Sequence, residues 1–286
     1  MKNRFIRTVA CTALAFLFAF GGAACSSGGG EVTAGASGHA FTQSQLGGED
    51  ALGRAITANK GSNGKYVGVF FNVNNSETGN MDEIYDIAKL LEEYGEYNDW
   101  TGTKQAYIDS HPVLSRDESV NEGISPNGKF HWFAEPLYGY YSNCDPWVLK
   151  KQLELLGLIG VDYLLLDLSN YPYMFDDSMN AILTAIAEMQ EAGNVVPKAA
   201  IMFSTGGPEA SEMLENGVSK FFNKSKYRDV WFRGDESINP TGGPLVVGNW
   251  ELVDSDDYPD LWLKQLQWPF NPYDDEALSW MDWGTY

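Results

Sequence analysis

Cysteine and histidine are scarce in this chain, three of each in 286 residues. The cysteines are Cys11 and Cys25, in and just after an apolar N-terminal run, and Cys144. Once that run is removed and Cys25 is modified, Cys144 stands alone and no intramolecular disulfide can form. With only His39, His111 and His131 and no paired cysteines, the usual zinc ligand sets are missing. Neither a metal nor a cofactor is therefore expected, although an isolated Ca²⁺ site among the acidic side chains stays open. A Ser-His-Asp or Cys-His mechanism has few histidines to draw on, and only His131 lies near the better motifs. Basic charge is short as well: 19 Lys and Arg stand against 39 Asp and Glu, a net charge of −20. Such a surface repels phosphate backbones and anionic lipid, which argues against nucleic acid as partner and favours a neutral ligand. No Gly-x-Gly-x-x-Gly or Walker loop follows any candidate strand, so a nucleotide-binding open sheet lacks its usual support.

The N-terminus has a charged start (Lys2, Arg4, Arg7), the apolar run from Val9 to Phe20, and Gly21-Gly22-Ala23-Ala24 before Cys25. That layout is a secretory signal, too short to span a membrane comfortably. Small residues before a cysteine suit lipoprotein processing, although Gly22 stands where leucine is common; an ordinary signal with an incidental cysteine is the alternative. From Ser26 to about Gly64 the chain is rich in Ser, Gly, Ala and Thr, a composition with little to bury. The expected organisation is a lipoprotein signal peptide over 1–24, a flexible tether over 25–64 and one domain over 65–286. Lipid on Cys25 would hold that domain on the extracytoplasmic side of a bacterial membrane, and would be its only membrane contact.

From Lys65 onward apolar runs of strand length alternate with helical patterns. Strands are expected at Tyr66–Val73, Phe130–Glu135, Val161–Leu168, Ala199–Ser204 and Pro244–Asn249. Helices are expected over Met81–Tyr94, from an Asp145 cap to about Gly157, over Ser178–Ala192 and over Pro208–Gly217. Residues Tyr97 to Lys129 read as a long polar excursion. The alternation predicts an α/β fold with parallel strands, and a (β/α) TIM-type barrel is preferred to an open sheet. Five strands are too few for closure, so the barrel reads as incomplete or truncated at its C-terminus.

Two carboxylates stand at strand ends. In Val161–Leu168, Tyr163, Leu165 and Asp167 share one face, so the alternate leucines would pack under helices and Asp167 would project at the C-terminal mouth. Asp167 could equally cap the following loop. Glu135 stands among aromatic residues, where partial desolvation would suit a general acid, or it could simply bond a turn's backbone. Together they could supply the acid pair of glycosidic cleavage. Trp132, Tyr138, Tyr140, Tyr141 and Tyr171 could stack on sugar faces and Asn170 could bond hydroxyls, making carbohydrate the expected partner. Trp147 reads as core.

The string Glu135-Pro136-x-x-Gly139-Tyr140-Tyr141-x-x-x-Asp145-Pro146, followed by Gly160-Val161-Asp162 and Asp167-x-x-Asn170, resembles a known family. These are the TIM-barrel glycoside hydrolases of the endo-α-mannosidase and fungal mutanase type. The resemblance runs from about Val67 to Phe203, the N-terminal half of such enzymes. It implies a β/α barrel acting on α-linked glycans, with Asp167 and the Tyr140-Tyr141 loop lining the pocket. The Asn-Glu-Trp-x-x-Gly-like segment that carries the endo-α-mannosidase glutamates is not found, so those catalytic positions do not transfer. A glycan-binding lipoprotein without catalysis is the competing reading.

Overall fold

The computed structural model describes residues 47–49, 55–57, 65–95, 102–203, 209–250, 253–267 and 278–279. The signal segment, Cys25 and most of the expected tether lie outside the described residues, as do Ser204 and Pro208. Within the tether segment, β1 (Gly47–Glu49) pairs antiparallel with β2 (Ala55–Thr57).

Strand β3 (Gly68–Asn72) opens the main sheet. The short β4 (Tyr85–Asp86) leads into helix α1 (Ile87–Tyr94), and helices α2 (Lys104–Ser110) and α3 (Glu118–Asn121) follow. Each of these helices starts where a short polar side chain caps it: Asp86, Thr103 and Asp117 accept bonds from first-turn amides. The capping of α1 by Asp86 explains why the helix begins later than Met81. Strand β5 is only His131–Trp132.

From there strands and helices alternate. Helix α4 (Pro146–Leu158) begins with Asp145 accepting from the Trp147 and Val148 amides and with Pro146 in its first turn, as the sequence predicts. After it come β6 (Tyr163–Leu168), α5 (Asp176–Glu191), β7 (Lys198–Phe203) and α6 (Glu209–Gly217). Strands β8 (Leu245–Gly248), β9 (Trp262–Gln267) and β10 (Leu278–Ser279) complete the described elements.

The main sheet has six strands in the order β10-β9-β8-β7-β6-β3, and every neighbouring pair is parallel. Strand order follows chain order without reversal. A doubly wound sheet turns back at a switch point, whereas a β/α barrel adds each strand on the same side. The main sheet has no such switch point, and β3 and β10 are its two edges among the described residues. Two expectations need correction. Phe130–Glu135 contributes no strand to this sheet; only its first part pairs, with β4, as a separate two-stranded unit. Two strands also follow Asn249 where none was expected, because β9 interrupts its apolar residues with Lys264, Gln265 and Gln267.

Both faces of the sheet are covered, which is why its inner strands are apolar at successive positions. On one face Leu164, Leu166, Leu168 and Ile201 pack against Leu149 and Leu153 of α4, Ile182 and Ile186 of α5 and Leu214 of α6. On the other, Leu165, Ala200, Met202, Leu245, Val247 and Trp262 form a second cluster with Phe232. Asn72, Asp167, Met202, Val247 and Lys264 are partners across five strands, one row on that second face near the C-terminal ends. Asp167 therefore stands on the face turned away from the helices, at the end where a β/α framework places its ligand.

Candidate functional site

Beyond the C-terminal ends of β3 and β6 lies a cavity of about 560 Å³. Asn72, Asn74 and Asn80 form one wall, Lys129, Phe130 and His131 another, and Asn170, Tyr171 and Tyr173 a third. The walls are tied locally. The Asn74 amide donates to Asn72 Oδ1 at 2.9 Å, and Asn80 Nδ2 donates to the Gly128 carbonyl at 2.8 Å. His131 Nδ1 donates to the Lys129 carbonyl at 2.9 Å, and its buried Nε2 has no partner among the described residues. Tyr171 and Tyr173 are 40% and 52% exposed, so their rings are open to a ligand. The Tyr171 hydroxyl is held by Glu212 at 3.0 Å. A lining of side-chain amides and open rings matches a polyhydroxylated ligand: amides both donate to and accept from hydroxyls, and rings cover C–H faces.

The residues expected from sequence fall into two groups. Asn170 and Tyr171 line this cavity. Trp132, Tyr138, Tyr140, Tyr141 and Glu135 instead belong to the β4–β5 unit and its following loop. Trp132 is only 7% exposed, edge-on to Phe130, Tyr140 and Tyr141. This burial does not fit a stacking platform, because the neighbouring rings already cover it. Trp147, expected in the core, is 62% exposed and packs edge-on against Tyr138. Tyr141 accepts from Gln152 Nε2 at 3.0 Å.

Around Tyr140 is a charged chain the sequence did not announce. Its hydroxyl donates to Asp86 Oδ2 at 2.6 Å and accepts from Lys89 Nζ at 2.7 Å, and Lys89 also donates to Glu135 Oε2 at 2.6 Å. Burial pushes the Asp86 carboxyl up, but the bonds from Tyr140 and the Lys89 amide outweigh it and hold it below the usual carboxylate value. The bond to Glu135, then that to Tyr140, pushes the Lys89 ammonium up. Glu135 is 53% exposed on its side chain and ion-paired, so the expected desolvated acid is not what the structure presents. Asp167 is half-buried, and its Oδ1 accepts from the Ser169 amide at 2.9 Å. No hydrogen bond or ion pair joins Asp167 to Glu135 among the described residues, and neither lines the cavity. Asp86 and the amides of the Asn72–Asn75 run are the residues sequence reasoning missed. Three asparagines at and just after the end of β3, Asn72, Asn74 and Asn75, were the available signal.

A larger cavity of about 1020 Å³ runs along β9 past Trp250 and Trp262. Its chain neighbours 251–252 and 268–277 lie outside the described residues, and we place the site at the β3–β6 cavity, which two of the residues expected from sequence, Asn170 and Tyr171, line. Among the described residues no group of three or more His, Cys, Asp or Glu could hold a metal, and no helix is long and apolar enough to cross a membrane.

Fold and cavity together define a parallel β/α protein with its sheet strands in chain order and an amide- and ring-lined cleft at its strand ends. No protein family model matches the chain, and no curated protein does. Among solved structures it is similar to a GH99 endo-alpha-mannosidase from Bacteroides thetaiotaomicron, with a TM-score of 0.39 and 13% identity. The match covers 71% of this chain and 55% of that one, so the chain spans about half the length of that protein.

Proposed function

We propose that this chain is a surface-tethered carbohydrate-active lipoprotein of glycoside hydrolase type, anchored through Cys25. It takes an α-linked oligo- or polysaccharide into the β3–β6 cavity. The observation that carries this reading is the cavity lining of four asparagines with two open tyrosine rings at the C-terminal strand ends. The α-linkage follows from the sequence resemblance. Asp167, two residues beyond the buried Leu165 on the same face and in register with the cavity-lining Asn72, is the candidate catalytic carboxylate, and Glu135 is its candidate partner in hydrolysis. A second reading, glycan capture without cleavage, is favoured by the partners the carboxylates already have: Lys89 for Glu135 and the Ser169 amide for Asp167.

Binding calorimetry and a reducing-end assay on α-mannan and α-glucan oligosaccharides separate the outcomes. Binding is expected, and Tyr171→Ala should weaken it roughly ten-fold, the order of one lost ring contact. Released reducing ends that disappear in Asp167→Asn support hydrolysis; binding without release supports capture. Absence of binding to every α-glycan tested would overturn both.

A further inference from the structure

At the other end of the sheet from the β3–β6 cavity, a further cavity of about 380 Å³ opens beside the residues that start the strands. Tyr66 and Asp162 stand shortly before β3 and β6, and Lys198 is the first residue of β7. Trp231 and Phe232 run alongside the start of β7: the Ala199 amide donates to the Val230 carbonyl at 2.8 Å, and the Phe232 amide to the Ala199 carbonyl at 2.7 Å. Phe232 stacks on Tyr163 at 4.3 Å and meets the Tyr66 ring edge-on at 5.1 Å. The Tyr66 hydroxyl is held by donating to Asp235 Oδ2 at 2.9 Å. Fixed rings thus give the cavity an apolar wall.

Three basic side chains, Lys198, Arg228 and Arg233, line it against two acidic ones, Asp162 and Asp229. That is a local excess of cation in a chain with 39 acidic and 19 basic residues. Lys198 and Arg233 are half-buried, and neither pairs with a carboxylate among the described residues. Lys198 Nζ donates to the Asp229 backbone carbonyl at 2.6 Å. Arg233 donates from Nη1 to the Gly242 carbonyl at 2.8 Å and from Nη2 to the Arg228 carbonyl at 3.5 Å, and its other N–H groups have no acceptor among the described residues. The acidic side chains are engaged elsewhere. Asp162 Oδ2 accepts from the Val67 amide at 2.7 Å, and Asp229, 82% exposed, lies 3.6 Å from Arg228 Nε. Burial pushes the Lys198 ammonium down; the Asp229 charge opposes this and the Arg233 charge adds to it. Trp231, 2% exposed, also lines the cavity, and its indole N–H has no acceptor among the described residues. Half-buried cations without a counter-charge are costly, and an anion beside them relieves the cost. We propose that this cavity binds an oxyanion, the carboxylate or phosphate group of a small organic molecule, through Lys198 and Arg233. The planar guanidinium matches either group. The volume falls within the roughly 300–1,000 Å³ of small-molecule pockets, so a bare ion would leave most of it empty, and the Tyr66–Phe232 wall covers the ligand's body.

The site is independent of the glycan reading, and its test uses no sugar. The full chain in detergent is titrated by calorimetry at low ionic strength with benzoate, phenyl phosphate and uncharged benzyl alcohol. At least one of the two acids is expected to bind, the tighter of them identifying the group as carboxylate or phosphate, while benzyl alcohol gives no heat. Raising the salt to about 0.15 M should weaken binding several-fold, as screening of a partly exposed charge pair requires. Arg233→Gln should weaken it at least about ten-fold, the order of one lost charge-assisted bond. If that variant does not fold, Lys198→Gln, which can still donate to the Asp229 carbonyl, should weaken binding several-fold. No heat with either acid, equal binding of benzyl alcohol, or undiminished affinity in the variants would overturn the proposal.

Discussion

Gly79→Ala is expected to lower stability by roughly 1–3 kcal/mol, the usual range for forcing atoms into filled space, and to weaken glycan binding at least about ten-fold. A β-carbon at this position would lie 1.6 Å from the Asn74 carbonyl oxygen. That oxygen is backbone and cannot swing aside as a side chain would. Relief requires opening the turn, whose closure rests on the Gly79 and Met81 amides donating to the Ser76 carbonyl at 3.0 and 3.1 Å. Asn74, Thr78, Gly79 and Asn80 all line the cavity, so a shift in this turn moves a wall of the site. Urea unfolding and glycan titration of the variant check both halves. Wild-type values in both would show that the turn does not pack as described.

Asp86→Ala is expected to cost about 2–4 kcal/mol: about 1 for the lost cap of α1 and a further 1–3 for leaving the buried end of a hydrogen-bond chain unpaired. Asp86 is buried, caps α1 through the Lys89 amide at 3.1 Å and receives the Tyr140 hydroxyl. Its side chain joins the helix to the loop after β5. The same carboxylate gives a signed pH dependence. Because its folded value lies below the unfolded one, its stabilisation is fully present above the unfolded value and is lost as pH falls through the folded value. Urea unfolding at neutral pH should therefore separate wild type from variant, and the gap should close as pH drops below about 4. A gap that is constant across that range would show that the charge of Asp86 is not what holds the network.

The parts of the fold legible in the sequence were those where burial dictates residue type. Val161–Leu168 and Ala199–Phe203 must be apolar on both sides because helices cover one face and a second cluster covers the other. The Asp145-Pro146 start of α4 was legible because the cap's chemistry is local. By contrast, β9 alternates Trp262, Leu263 and Leu266 with Lys264 and Gln265, and that mixture hid a strand whose pairing with β8 is decided far away in sequence. The aromatic cluster misled for a related reason. Trp132, Tyr140 and Tyr141 are close in sequence, and nothing local says whether their rings face solvent or each other. They face each other, which removes Trp132 from any groove, while Tyr171 and Tyr173 remain open. Glu135 was read from its aromatic neighbours, but its environment is set by Lys89, 46 residues away.

The most direct measurement is a crystal structure of the chain with an α-linked oligosaccharide. The account predicts sugar between the Asn72–Asn80 turn and the Asn170–Tyr173 loop, with a ring against Tyr171 or Tyr173. Sugar bound elsewhere, on the exposed Tyr138–Trp147 pair or along β9, with the β3–β6 cavity free of it, would contradict the account.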